Sequence, residues 1–283
     1  MDRTDTTSVP TGIKLYTLAA HRASREVIYS YSTSFGAATK LLPASLRHHI
    51  ENIYAMVRVA DEIVDGSAFE AGVKDPEAEL NAFEAETYRA MATGFSTNLI
   101  LHSFATSARE VGIGKDIVEP FFYSMRQDLT ETEHTQASFE KYVYGSAEVV
   151  GLMCLAAFVQ GQSYSAEQKK TLVLGARALG SAFQKVNFLR DLSADFKRLG
   201  RSYFPGVNVN SFDEATKERL VKDIAKDLEL SAQSLPLLPR SARVAVTAAQ
   251  LLFAELNSKI GNTSAKDLIN TRISVPNLTK LLL

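Results

Sequence analysis

The stretch IENIYAMVRVADEIVDG, residues 50–66, carries Ile50, Ile53, Tyr54, Val57 and Ala60 at the spacing of one helix face and stops at Gly66. Asp61, Glu62 and Asp65 interrupt this apolar run. Asp61 and Asp65 are four residues apart, so on a helix they differ by about 40° and share a face, one turn apart. Like charges at that spacing repel mildly, and on a generic surface helix the pair would be a solvated acidic end. Glu62 falls on a different face and is expected in solvent.

A second stretch changes that balance. In SAFQKVNFLRDLSADFKRLGRSYFP, residues 181–205, Gln184, Asn187, Arg190, Asp191 and Asp195 fall within a sector of about 140° on a helical wheel. Val186, Phe188, Leu189, Leu192 and Phe196 take much of the remainder. An ordinary surface helix shows assorted long charges to water. This one presents short carboxylates and an amide in register, with an arginine among them. Such oxygens suit a hard cation like magnesium, which keeps waters and bridges carboxylates to phosphate. Two such faces opposed across a pocket would hold ions and diphosphate, with Arg190 as a phosphate fork.

The rest of the chain also reads as helix. Residues 1–12 form an expected flexible arm, and residues 13–283 one domain. Helices are expected from about Leu15 to Leu41, from Pro43 with Ser45 as cap to Gly66, and over 75–91, 97–111, 115–128, 138–161, 165–199, 213–233 and 239–260. Alternating β-branched runs bounded by hairpin turns are absent, and no fixed repeat or Pro/Gly/Ser linker divides the chain. The expected fold is all-α.

With 283 residues, 46% apolar and 22% charged, the chain can bury a sizeable core, and its net charge of −1 excludes a nucleic-acid binder that works through a basic field. Cys154 is the only cysteine, which excludes disulfide and zinc-finger scaffolds and makes it a core residue in GLMCLAAF. The polar N-terminus carries no apolar signal core, and no run approaches the roughly 20 apolar residues of a membrane span. The adjacent His48 and His49 face two directions and are expected at the surface. His21, His102 and His134 have no partner at metal spacing. VGIGKD, residues 111–116, is a turn rather than a phosphate loop, and no nucleophile elbow is present.

The blocks YSTSFGAATKLLP (31–43), IYAMVRVADEIVD (53–65), YVYGSAEVVG (142–151) and FQKVNFLRDLSADFKRLGRSYFP (183–205) occur in one order along the chain. In them the chain resembles the squalene and phytoene synthase family, the head-to-head prenyl synthases. The resemblance implies a single isoprenoid-synthase-type helical bundle around a central cavity. It also implies that Asp61, Asp65, Asn187, Asp191 and Asp195 bind metal, with Mg2+ expected and Mn2+ as the alternative. Asp61, Asp65, Asp191, Asp195, Tyr54 and Arg58 are then the expected catalytic set. Ser32, Ser34, Phe35, Tyr54, Arg58, Tyr142, Gln184, Arg190, Arg201 and Tyr203 are the expected substrate contacts. Phe35, Tyr54, Tyr142 and Phe188 offer ring faces to cations, and either released diphosphate or Tyr142 takes the final proton. Tyr203 either closes over phosphate or only packs. Glu148 stands where the family often has a small residue, and either joins the metal end or rotates outward. Arg272 stands in for a C-terminal tyrosine that some relatives use.

The small side chains of FGAAT leave depth for a long chain, so two geranylgeranyl diphosphates are expected to join through a cyclopropyl intermediate to phytoene, without NADPH. Other readings are a farnesyl-using dehydrosqualene or squalene synthase, a terpene cyclase or chain-elongating synthase, and a non-catalytic lipid-binding or assembly factor. A cytoplasmic location with peripheral contact at the inner face of the membrane is expected. Downstream enzymes of carotenoid synthesis are the expected partners, and nucleic acid is not.

Overall fold

The structure, a computed structural model, describes residues 10–199, 202–270 and 273, without the side chains of residues 193–199 and 209. Its helices are α1 (Gly12–Tyr31), α2 (Thr33–Lys40), α3 (Ala44–Val64), α4 (Ser67–Glu70), α5 (Pro76–Thr93), α6 (Leu99–Val111) and α7 (Lys115–Thr130). They continue with α8 (Gln136–Val143), α9 (Val149–Val159), α10 (Ala166–Leu199), α11 (Glu214–Ala232), α12 (Arg240–Asn262) and α13 (Ala265–Leu268). A π-turn, Tyr144–Glu148, joins α8 to α9. No strand occurs among the described residues; Glu133 and Ser202 form an isolated bridge.

Local chemistry explains the boundaries. Asp75 caps α5 by accepting from the Ala78 N–H at 2.9 Å, Pro76 opens it, and Gly94 closes it at φ +79°. Asn98 caps α6, which ends at Gly112 with φ +80°. The expected helix from Leu15 to Leu41 is instead two. Ser32 leaves helical geometry at φ −139° and ψ 110°, and its Oγ accepts from the Phe35 N–H at 3.1 Å, starting α2. Pro43, not Ser45, caps α3, and Asp65 is the C-cap at φ −131° rather than a residue of the helix. The first helix, α1, begins at Gly12; residues 1–9 of the expected arm lie outside the described residues.

Two large apolar cores, with two smaller clusters beside them, build the described part of the bundle. Ile53, Met56, Phe104, Phe121, Phe122 and Met153 bring α3, α6, α7 and α9 together. Val186, Leu189, Ile224, Phe253 and Ile260 do the same for α10, α11 and α12. Each such side chain contributes about 1.5–3 kcal/mol on burial. The helices meet at backbone distance where glycine allows it. A Cβ on Gly180 would lie 2.4 Å from the Ala147 carbonyl oxygen, and one on Gly145 would lie 2.1 Å from that of Pro120. The continuous segment Gln136–Val159 is long and apolar enough to cross a membrane by length and composition, with a mean hydropathy of 1.6. Half of that window is buried inside the bundle, so it serves as a core helix.

Two surface expectations fail. His49 is only 1% exposed, because its face of α3 packs on α6, where its Nδ1 lies 2.9 Å from Ser107 Oγ. Glu62 is not solvated: it pairs with Arg58 and accepts from the Ser67 N–H at 2.8 Å.

Candidate active site

A cavity of about 270 Å³ runs between the two cores. Phe35 and Thr39 of α2, Ile53, Tyr54 and Val57 of α3, Val150 and Cys154 of α9, Leu172 to Asn187 of α10, and Ala245 of α12 contribute to its wall. Tyr54, Gln184 and Asn187 supply polar groups, while Leu155, Phe158, Leu172 and Leu238 are apolar. Cys154 faces this space, and burial pushes its thiol up to about 12.

The two acidic helices leave the same cavity. Val57 lines it, and Asp61 follows one turn later on α3; Asn187 lines it, and Asp191 follows one turn later on α10. Asp61, Asp65 and Asp191 are all half-buried. The backbone of Asp195 continues α10, but its side chain lies outside the described residues, as do Arg201 and Arg272 altogether.

Arg58 is held beside the first acids. Its Nη1 donates to Asp61 Oδ2 at 2.7 Å, its Nη2 pairs with Glu62, and its guanidinium lies 4.4 Å from the Tyr31 ring centre. Burial works against the Arg58 charge, but Asp61 and Glu62 together raise its pKa above the usual arginine value. For Glu62, burial alone would raise the carboxyl; hydrogen bonds from Ser67 and the Arg58 charge bring it below the ordinary range. Burial raises the Tyr54 hydroxyl, which is hydrogen-bonded to Ser32. On α10, the Arg190 Nε lies 3.1 Å from Asp191 Oδ1. Both arginines thus sit on a carboxylate of the site, where an arriving phosphate could draw them off.

Tyr142 and Phe188 are not in the cavity wall. Phe188 stacks on Tyr203 at 3.9 Å with an 8° interplanar angle, and Tyr142 lies 5.5 Å from Tyr203. Tyr203 is 7% exposed and packs. The Tyr142 hydroxyl donates to Asp128, a buried carboxylate of α7. Burial, then the charge of Asp128, raises that hydroxyl, and Asp65 is close enough to add to the effect. Sequence reading missed Asp128. The signal was its place seven residues after Phe121 and three after Met125, on the apolar stripe of α7. Glu148 is half-buried and accepts from the Arg177 Nε at 2.6 Å. Arg177 also lies 5.1 Å from the Tyr144 ring centre. Ser34 is half-buried on α2.

Residues 28–279 match the family model described as squalene/phytoene synthase. A 15-cis-phytoene synthase of Paracoccus sp. is 31% identical over 191 residues, which are 65% of this chain and 59% of that protein. A 4,4'-diapophytoene synthase of Staphylococcus haemolyticus is 26% identical over 203 residues, 71% of this chain and 68% of that one. A crystal structure of a dehydrosqualene synthase superposes with a TM-score of 0.77 at 21% identity, covering 95% of both chains, and shows the shared fold. A helical bundle enclosing an apolar cavity, acids on two of its helices, and a family match over most of the length lead to one conclusion: the chain is a prenyltransferase and belongs to the squalene/phytoene synthase family.

Proposed function

We propose that this protein is a 15-cis-phytoene synthase, joining two geranylgeranyl diphosphates head to head through prephytoene diphosphate in the first committed step of carotenoid synthesis. The observation that carries the reading is the apolar cavity whose wall reaches Val57 and Asn187, one helical turn before Asp61 and Asp191. From Asn187 to Leu172 the wall follows α10 for fifteen residues, about 22 Å at the helical rise. Small residues such as Ala38, Ala176, Ala245 and Ala249 line it. That depth favours the C20 chain over the C15.

The donor set fits a divalent ion. Asp61, Asp65, Asn187 and Asp191 offer hard oxygens and no sulfur or imidazole, the preference of magnesium. Asp195 would join them. When bound there, magnesium neutralises the diphosphate oxygens and makes diphosphate a better leaving group.

The chain's own groups do the rest. Arg58 and Arg190 exchange a carboxylate for phosphate oxygens and stabilise the charge that develops as the C–O bond breaks. Ser32, Ser34, Tyr54 and Gln184 orient the diphosphate and the reacting carbons. Phe35 and Tyr54 present ring faces to the allylic cation. The apolar wall keeps water from capturing it, so the double bond of the second prenyl chain attacks instead. Loss of a proton closes the cyclopropyl diphosphate; its ionisation releases the second diphosphate, and rearrangement with loss of a second proton leads to the hydrocarbon with no need of NADPH.

Incubation with magnesium and each substrate tests the reading. A C40 hydrocarbon from geranylgeranyl diphosphate without NADPH is expected. A C30 product from farnesyl diphosphate with no C40 product would overturn the chain-length assignment. That outcome is the second reading, favoured by the match to the diapophytoene synthase of Staphylococcus haemolyticus.

The product belongs in a membrane. Val173, Leu174 and Val244 are exposed next to the cavity residues Leu172, Gly175 and Ala245. Peripheral attachment through this end is part of the proposal. Flotation with vesicles is the expected result, and full activity without lipid together with no flotation would refute it.

A further inference from the structure

Away from the acidic mouth, α1, α3 and α6 bring together residues that are distant in sequence. His48 and His49 of α3 and Glu110 of α6 place one ligand atom each within 4.8 Å of one another. His49 Nε2 lies 3.8 Å from Glu110 Oε1. Twelve residues of α3, about 18 Å of helix, separate His49 from Asp61. This cluster is therefore independent of the diphosphate site.

The hydrogen bonds orient the rings for coordination. His48 Nδ1 lies 3.0 Å from the Ala44 carbonyl, which can only accept, so Nδ1 carries the proton and the Nε2 lone pair is free to bind. His49 Nδ1 lies 2.9 Å from Ser107 Oγ, leaving its Nε2 toward Glu110. Ser107 in turn accepts from Asn52 Nδ2 at 2.8 Å, and Asn52 also contacts His21 Nδ1 at 2.9 Å. Metal-binding histidines are commonly fixed in this way, by a partner on the other ring nitrogen.

A groove reaches the cluster at Glu110. His102, Thr106, Arg109 and Glu110 line it, and the buried His102 Nδ1 has no hydrogen-bond partner. Arg109 directs its guanidinium to the carbonyls of Met91 and Ala92, at 2.9 and 2.8 Å.

We propose that His48, His49 and Glu110 form a second metal site, selective for a divalent ion of borderline softness such as zinc. Two imidazoles and one carboxylate are a zinc donor set, and magnesium prefers oxygen. Ligands around tetrahedral zinc stand about 3.4 Å apart, so a small rotation of the exposed Glu110 closes the set.

The test is zinc titration of the full chain by calorimetry in excess magnesium, with cobalt as a spectroscopic substitute. One zinc per chain and a tetrahedral cobalt spectrum are expected. His48→Gln and Glu110→Gln should each weaken uptake by about 10- to 100-fold. Neither residue is buried, so circular dichroism should show both variants folded. Asp61→Asn with Asp191→Asn should leave zinc uptake unchanged. No uptake, uptake indifferent to His48→Gln and Glu110→Gln, or uptake lost with the two aspartates would each overturn the site.

Discussion

The Tyr142 hydroxyl donates to both oxygens of Asp128, at 2.8 and 3.0 Å, inside the protein. A neutral phenol thus faces a buried carboxylate, and the pair ties α8 to α7 next to the Phe188 and Tyr203 rings. Removing the hydroxyl takes one donor from Asp128. Tyr142→Phe should cost about 1–3 kcal/mol of stability, read from the urea midpoint. If the same pair also supports the reaction, kcat should fall with KM little changed.

Asp61 and Asp191 carry the metal reading. Asp61→Asn with Asp191→Asn keeps the size of both side chains and removes two negative charges. Turnover of geranylgeranyl diphosphate should be lost, while the thermal midpoint stays near that of the parent. Unchanged turnover would refute metal binding by these groups.

Ala249 lies on the cavity wall contributed by α12. Ala249→Phe fills that space. The ratio of C20 to C15 use should fall at least about tenfold, since about 1.4 kcal/mol of lost fit suffices. Product chromatography with both substrates checks this.

Cys154 gives a pH signature. Its thiol rises from 9.0 to about 12 through burial, so near pH 8 the folded protein carries about 10³ less thiolate than the unfolded chain. Alkylation by iodoacetamide should be slower by that factor and rise about tenfold per pH unit. The folded state holds this proton more tightly. The thiol's contribution is therefore intact below pH 9 and is lost as pH climbs from 9 toward 12. An unfolding series for Cys154→Ala, which should lose that slope, is the control.

Much of the fold could be read from helical periodicity, because α3, α5, α6 and α10 each carry an apolar stripe and an end signal. The acids of α3 and α10 could be read for the opposite reason: short charged groups lie in register where a surface helix would scatter long ones. The break at Ser32 was harder, since apolar spacing continues across it and only the cap geometry marks the turn. The contacts of His49 and Asp128 are tertiary. No local pattern ties His49 to Ser107, 58 residues away, or Tyr142 to an acid on a neighbouring helix. Glu62 was misplaced because Ser67, beyond the helix end, turns back to hold it.

The π-turn at Tyr144–Glu148 gives one rod two orientations. Before it, Tyr142 looks toward α7; within and after it, Ser146, Ala147 and Val150 look into the cavity. A wider loop of backbone hydrogen bonds accommodates one extra residue, worth about 100° of azimuth. Excising a single amino acid within the wide turn would therefore close it to an ordinary one and leave α9 facing as before. The same excision inside α9 would act like turning a key: every side chain downstream would swing away from the cavity.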